Sequence, residues 1–313
     1  MSPHNSPPTR WSLILASSAI LAAGAIAACG NPDSVLGKDG GGGADGDGGG
    51  NGDGDGGLAN SSCKKIDLVF SVDPSQSMSE ELAAMSSDVF PKFAQALRTV
   101  GDGLEDYRVA VIDGCPDPAD FHTRGQSTAD CAYQSGQVWI DSNSSALDAE
   151  FSCAGDIYAA GDCAENNQDE QPIAAAIASL TPPYSTAQNA GFLRDDALLV
   201  VVTITDEDEC SDYPGCGDTS DNQAMQLYNS LVATKGDVRK MVYLGIGGGL
   251  PNGCAAGTYG QADPAILTNK VSNLFVAQDR GVAWDLCAGN LEDGLSEAIA
   301  VIESACQDFP QID

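Results

Sequence analysis

One segment sets spaced oxygen donors directly after an apolar run: Ile66-Asp-Leu-Val-Phe-Ser-Val-Asp73-Pro-Ser75-Gln-Ser77-Met-Ser79. Its first seven residues predict a buried strand, and a helical pattern starts near Glu80. Open α/β sheets bind ligands at the carboxyl ends of parallel strands. One carboxylate and two hydroxyl groups suit a hard divalent cation such as Mg²⁺, Mn²⁺ or Ca²⁺. Asp73, Ser75 and Ser77 are therefore candidate metal ligands.

A second apolar run also ends in oxygen donors. It reads Asp196-Ala-Leu-Leu-Val-Val-Val-Thr-Ile-Thr205-Asp206 and is strongly β-branched. A continuous apolar run of this kind is expected of a strand that helices cover on both faces. Asp206, at the carboxyl end of this run, is the fourth candidate ligand.

The rest of the pattern alternates strands and helices. We expect further strands over 107–112, 137–140, 239–246 and 282–286, and helices over 80–100, 173–180, 223–235, 265–277 and 291–305. Pro91 is expected to kink the first helix. The alternation predicts an α/β fold, a doubly wound and mostly parallel sheet with helices on both faces. Residues 61–313 suffice for one such domain.

Together, the two donor motifs resemble the metal-ion-dependent adhesion site of von Willebrand factor type A (vWA) domains, the family that includes integrin I domains. The residues concerned are the Asp-x-Ser-x-Ser of 73–77 and the pair Thr205-Asp206, and the resemblance extends from about Cys63 to Cys306. It implies a vWA fold and one bound Mg²⁺ or Ca²⁺, with Mn²⁺ as an alternative. It also implies a protein partner that places a carboxylate on an open position of the ion.

One ligand position departs from the family's pattern. vWA domains supply a Thr hydroxyl just before the middle helix, but the equivalent segment here, Asn166 to Leu180, contains no Thr. Glu170 is the preferred replacement because a carboxylate is the better ligand for a hard cation. The register of the apolar positions would instead put Gln171 there. Glu170 could equally be a first-turn acid that complements the helix dipole.

The chain is strongly acidic, with 45 acidic and 14 basic side chains and a net charge of −31. This charge argues against binding to nucleic acid and against direct contact with anionic lipid. In the run Asp206-Glu-Asp-Glu209, we expect Glu207, Asp208 and Glu209 to be solvated loop residues. The alternative for Asp208 is a second Ca²⁺.

No catalytic residues are indicated, and we do not expect an enzyme. His122 is the only histidine after the first 28 residues, and neither Ser75 nor Ser77 lies in a Gly-x-Ser-x-Gly elbow. A binding or adhesion module is the preferred class. A metal-assisted hydrolase, in which the cation activates water, is the alternative, and a metal-free structural domain is the third reading.

The N-terminal residues predict export. Arg10 precedes the apolar segment Trp11 to Ala28, which is too short and too rich in alanine for a comfortable membrane span. The following Cys29-Gly30 completes a sequence that resembles a bacterial lipobox. Residues 1–28 would then be a lipoprotein signal peptide. The alternative is an ordinary secretory peptide cut after Ala27.

Lipidation of Cys29 by diacylglyceryl and palmitate groups would anchor the protein without a membrane-spanning segment. The glycine after Cys29 favours the outer membrane, where the domain would face the periplasm or the cell surface. Residues 29–60 are rich in glycine and aspartate. Because this composition cannot bury apolar surface, we expect a flexible tether.

The cysteine count supports export. Besides Cys29 the chain contains Cys63, Cys115, Cys131, Cys153, Cys163, Cys210, Cys216, Cys254, Cys287 and Cys306. An even number in an exported chain implies disulfides. A bond from Cys63 to Cys306 would join the two ends of the domain. The expected local pairs are Cys115–Cys131, Cys153–Cys163, Cys210–Cys216 and Cys254–Cys287.

Overall fold

The computed structural model describes residues 63–97, 100, 106–125, 130–157, 163, 170–209, 217–257 and 260–310. The strands in these ranges are β1 (Lys65–Val72), β2 (Asp106–Asp113), β3 (Ile140–Asp141), β4 (Leu198–Ile204), β5 (Met241–Gly247), β6 (Cys254–Gly257), β7 (Gly260–Ala262) and β8 (Gly281–Asp285). The α-helices are α1 (Ser79–Ala84), α2 (Phe90–Leu97), α3 (Leu147–Gly155), α4 (Pro172–Leu180), α5 (Asp221–Lys235), α6 (Ile266–Val276) and α7 (Leu291–Gln307).

Six strands form one sheet in the order β3-β2-β1-β4-β5-β8, and β6 pairs with β7 in a separate hairpin. Every pairing in the large sheet is parallel except that of the edge strand β3 with β2. Strands β2 and β3 lie on one side of β1, and strands β4, β5 and β8 lie on its other side. The strand order therefore reverses between β1 and β4. The prediction of a mostly parallel α/β sheet is confirmed.

Helices cover both faces of the sheet. On β1, Leu68 and Phe70 join a core that includes residues of α1, α2, α3 and α7, whereas Val69 joins a second core with α4, α5 and α6. Phe90 of α2 stacks on Phe151 of α3, with ring centroids 4.4 Å apart. Because each central strand is buried on both sides, its sequence is a continuous apolar run rather than an alternating one.

The helix expected over 80–100 is interrupted. α1 ends at Ala84, a π-helical turn covers Met85–Val89, and α2 starts at Phe90. Pro91 has no N–H to donate to the carbonyl four residues earlier, and its ring crowds that carbonyl. A wider turn ahead of a proline is a common way to accommodate this. Helix α3 and the β6–β7 hairpin were not predicted.

Disulfides join four pairs of described cysteines: Cys63–Cys306, Cys115–Cys163, Cys131–Cys153 and Cys254–Cys287. The first and the last agree with expectation. The expected pairs Cys115–Cys131 and Cys153–Cys163 are wrong. Cys153 lies on α3, which packs through Phe151 on the core and so brings Cys153 beside Cys131, with their Cα atoms 5.5 Å apart. Cys115 then pairs with Cys163, at 5.3 Å.

Several expectations concern residues outside the described ranges. These are the signal peptide 1–28, lipidation at Cys29, the tether 29–60 and the pair Cys210–Cys216, and they stay predictions. Within the ranges that the structure describes, every helix is too short or too polar to cross a membrane.

A buried ion pair ties the segment before β4 to β1. Asp67 is fully buried on β1 and accepts hydrogen bonds from the backbone N–H (2.7 Å) and the Nε (2.8 Å) of Arg194. The Arg194 side chain also contacts Asp106 and donates to the Ile66 carbonyl at 3.1 Å. Burial raises the pKa of Asp67, and the charge and hydrogen bonds of Arg194 oppose that shift.

We expect Asp67→Ala to lower the free energy of unfolding by about 3–5 kcal/mol, because it leaves a mostly buried guanidinium without its main partner. Asp130→Ala is the matched control, since Asp130 and Arg124 form an exposed pair and such pairs contribute at most about 1 kcal/mol. Urea denaturation of the full chain with its disulfides intact measures both. A loss at Asp67 no larger than that at Asp130 would contradict the assignment.

Candidate metal centre

Parallel pairing brings the two donor segments to the same end of the sheet. Val72 of β1 lies opposite Ile204 of β4, and the N–H of Asp73 donates to the Ile204 carbonyl at 2.9 Å. Asp73 and Asp206 therefore follow adjacent strands, and both are buried. They lie where the strand order reverses, which is the usual place for a ligand in an open α/β sheet.

The two serines connect these carboxyl groups. Ser75 Oγ lies 2.7 Å from Ser77 Oγ, and the Ser77 hydroxyl donates to Asp206 Oδ1 at 3.3 Å. The Ser75 N–H donates to Asp73 Oδ1 at 2.8 Å. The four side chains that the two sequence motifs contribute thus lie in one cluster of oxygen atoms.

Thr205 is a further member of the cluster. Its hydroxyl is fully buried, donates to Asp73 Oδ2 at 2.7 Å and accepts from the Glu207 N–H at 3.1 Å. These two bonds fix the orientation of the Asp73 carboxyl. The Thr-Asp pair was visible in the sequence, but the partnership of Thr205 with Asp73 depends on the register between β1 and β4.

Burial raises the pKa of both central carboxyl groups. At Asp73 this effect is opposed by hydrogen bonds from Ser75, Thr205 and the Asp206 carboxyl. At Asp206, burial and then the charge of Asp73 raise the pKa to about 7. Two carboxyl groups in contact resist carrying two negative charges without a counter-ion. A divalent cation would supply that charge, so the donor set fits one.

The cluster of oxygen donors contains two acids, Asp73 and Asp206. In the part of the chain that the structure describes, no three or more His, Cys, Asp or Glu side chains form a group that could hold a metal ion. An ion here would need the serine hydroxyls and water as well. Glu170 is half-buried directly before α4, and the Gln171 N–H donates to the Gly114 carbonyl at 2.7 Å. Their competing assignments as a further ligand stay predictions.

Asp208 is not a solvated loop residue, contrary to expectation. Its Oδ1 accepts the N–H groups of Leu267 (2.8 Å) and Thr268 (3.3 Å) in the first turn of α6. The first N–H groups of a helix have no partner within the helix, and a carboxylate there also complements the helix dipole. The side chain considered for a second Ca²⁺ is therefore a helix cap.

Glu209 plays the same part for α4, and here too the expectation of a solvated residue is wrong. Its two carboxylate oxygens accept the N–H groups of Ile173 and Ala174, both at 2.9 Å. Burial raises the pKa of Glu209 to about 8 in spite of these bonds. The sequence showed an acidic run but not which helices begin beside it.

An open pocket of about 310 Å³ adjoins the cluster at Ser77 and Asp206. Its other walls are formed by Glu207, Gln261 and Asp263. The Asp263 N–H donates to the Asp206 carbonyl at 2.7 Å, which holds the end of the β6–β7 hairpin against the site. The pocket gives an incoming ligand a route to the oxygen cluster.

The sequence analysis also missed Glu81, a buried acid on α1. Burial, and less strongly the charges of Glu80 and Asp73, raise its pKa to about 7. A signal was available, because the apolar spacing of Met78, Leu82 and Met85 marks the buried face of this helix and Glu81 lies on that face.

The comparisons with known proteins assign no family. No family model matches the chain, and no curated protein matches it. Among solved structures, it is similar to proximal thread matrix protein 1 (PTMP1) from the mussel byssus, in crystal form 2, with 12% identity and a TM-score of 0.42. The match covers 76% of this chain and 48% of that one, so the chain spans about half the length of that protein.

We expect the full chain with chelator to be less stable at pH 8 than at pH 5. The unfolded Asp206 loses its proton near pH 4, whereas the folded group keeps it until about pH 7. The folded state therefore binds more protons in this window, and its stability falls as the pH rises. Glu81 and Glu209 act in the same direction.

Thermal melts at the two pH values test this expectation. Asp206→Asn should reduce the pH dependence, whereas Asp130→Asn, at an exposed position, should leave it as in the parent. An unchanged pH dependence in Asp206→Asn would show that Asp206 titrates normally in the folded state.

Proposed function

We propose that residues 61–313 form a vWA-like, divalent-cation-dependent binding or adhesion module that recognises a protein partner. The observation that supports this most directly is the oxygen cluster at the carboxyl ends of β1 and β4. Its two acids are buried and in contact, hydroxyl groups surround them, and an open pocket adjoins them. This arrangement suits a cation that is bound by the protein on one side and accessible on the other.

In this proposal Asp73, Ser75, Ser77 and Asp206 hold the ion. Glu170 forms no group of three with the two acids in the described part of the chain, so it would join as the fifth donor when the ion binds. The ion is Mg²⁺ or Ca²⁺, with Mn²⁺ as the alternative. When bound, it neutralises the two acids and offers a coordination position to a carboxylate of the partner. Thr205 orients Asp73 throughout, since its hydroxyl donates to that carboxyl group.

The rest of the proposal concerns the cellular setting. The protein would be held at the outer membrane through lipid on Cys29 alone, and the acidic chain would bind no nucleic acid. Catalysis is not part of the proposed function. Metal-assisted hydrolysis and a purely structural role become outcomes of the test below.

We expect the chelator-treated full chain to bind one Mg²⁺ or Ca²⁺ in isothermal titration calorimetry. Asp73→Asn should abolish measurable binding, because it removes one of the carboxylate charges that attract the ion, and Ser77→Ala should weaken binding by removing a neutral donor. Ser79→Ala is the control, since Ser79 is an exposed hydroxyl at the same spacing along the chain. It should bind as the parent does.

The same titration separates the competing readings. If the parent chain binds no divalent cation, a metal-free structural role is favoured. If Asp73→Asn binds the cation with the same affinity as the parent, the ion lies elsewhere. Cation-dependent turnover of ester or phosphoester substrates that is lost in Asp73→Asn would favour the hydrolase.

We expect Cys29→Ala to release the protein from the membrane fraction, because lipid on this cysteine is the proposed anchor. Fractionation of cells that express the parent or the variant measures this, and metabolic labelling with a palmitate analogue reports the lipid directly. Cys29→Ala should be unlabelled. A parent protein found free in the periplasm would rule out the anchor.

A further inference from the structure

Glu81 lies beside the oxygen cluster but belongs to neither sequence motif. It is the third residue of α1 and only 1% exposed. Glu81 follows Ser77 by four residues, so the two lie on the same side of this helical segment. The charges of Asp73 and Asp206 also interact with the Glu81 carboxyl group. A Cβ atom added at Gly260 of β7 would lie 3.9 Å from Glu81 Oε1, which shows that the hairpin covers this side chain.

The carboxyl group of Glu81 is poorly compensated. Its Oε2 atom is buried and has no hydrogen-bond partner among the described residues. The side-chain charges that act on its pKa, those of Glu80 and Asp73, are both negative. The backbone N–H of Glu81 donates to its own carboxyl group, but a buried oxygen left without a partner destabilises the folded state. Glu209, by contrast, is equally buried but accepts two helix N–H groups.

We propose that Glu81 is a positioning residue of the metal centre, whose unpaired oxygen accepts a hydrogen bond from a water molecule on the ion. This inference rests on the proposed cation site. Contact through water is the form that we infer, because Glu81 belongs to neither donor motif and its Oε2 is buried without a hydrogen-bond partner among the described residues. Before a partner binds, water would fill the open position of the ion, and carboxylates that contact a metal's ligands commonly tune its affinity.

The test uses Glu81→Gln in the full chain, with Mg²⁺ alone as the probe. Loss of the charge should raise the Mg²⁺ dissociation constant roughly 10-fold or more. Glu80→Gln is the matched control, because Glu80 is the adjacent but exposed glutamate, and it should stay within about 2-fold of the parent. Glu81→Asp keeps the charge and should bind more tightly than Glu81→Gln.

A second measurement distinguishes this role from a purely structural one. With chelator, Glu81→Gln should melt at a higher temperature than the parent, because one of three mutually repelling acids is gone. Saturating Mg²⁺ should then raise its melting temperature by less than it raises that of the parent. If Glu81 had only a structural role, Glu81→Gln would shift the melting temperatures with chelator and with Mg²⁺ by the same amount. Failure of Glu81→Gln to fold would contradict the statement that the charge of Glu81 is uncompensated.

The outcomes separate the two proposals. If the parent binds Mg²⁺ and Glu81→Gln binds it equally well, the role of Glu81 is overturned and the ion site stands. Equal affinities of Glu81→Asp and Glu81→Gln would also overturn it. If the parent binds neither Mg²⁺ nor Ca²⁺, the proposed ion site fails and this inference fails with it.

Discussion

The burial of acidic groups at the carboxyl ends of β1 and β4 is the constraint on which the site depends. Burying a charge costs free energy unless hydrogen bonds or an opposite charge compensate it. Asp208 and Glu209 obtain that compensation from the first turns of two helices. Among the described residues, the hydrogen bonds to the Asp73 and Asp206 carboxyl groups come from hydroxyl groups, one backbone N–H and the two acids themselves. The charges of Asp73 and Asp206 are therefore incompletely compensated, and a cation bound between them would stabilise this end of the sheet.

The two helix caps also determine where one of these acids lies. Asp206, Asp208 and Glu209 belong to one four-residue segment, so the bonds from α6 and α4 hold the backbone that carries Asp206. The Asp263 N–H fixes the same backbone from the hairpin side. A donor that is already held in place loses little conformational freedom when a ligand binds. The acidic run after β4 therefore contributes to the site by positioning rather than by coordination.

The sequence was sufficient to predict the mostly parallel sheet and the proximity of its two donor motifs. The apolar runs of β1 and β4 are typical of buried parallel strands, and parallel strands bring their carboxyl ends to one edge. Helix α3 was missed, and with it the partners of Cys131 and Cys153, because disulfide pairing depends on distances between Cβ atoms rather than on spacing along the chain. The roles of Asp208 and Glu209 were missed for a related reason: a carboxylate becomes a cap only when tertiary packing brings a helix end to it.

Two ties of the domain lie at the opposite end of the sheet from the oxygen cluster. The Cys63–Cys306 bond closes 243 residues just before β1, and a loop of this length corresponds to about 5 kcal/mol in the chain-entropy model. The buried pair of Asp67 and Arg194 lies in the first half of β1. Both bonds stabilise the fold without competing for the oxygen atoms of Asp73 and Asp206. The folded domain holds two acids in contact, and a cation bound there would add to its stability because the unfolded chain has no such site.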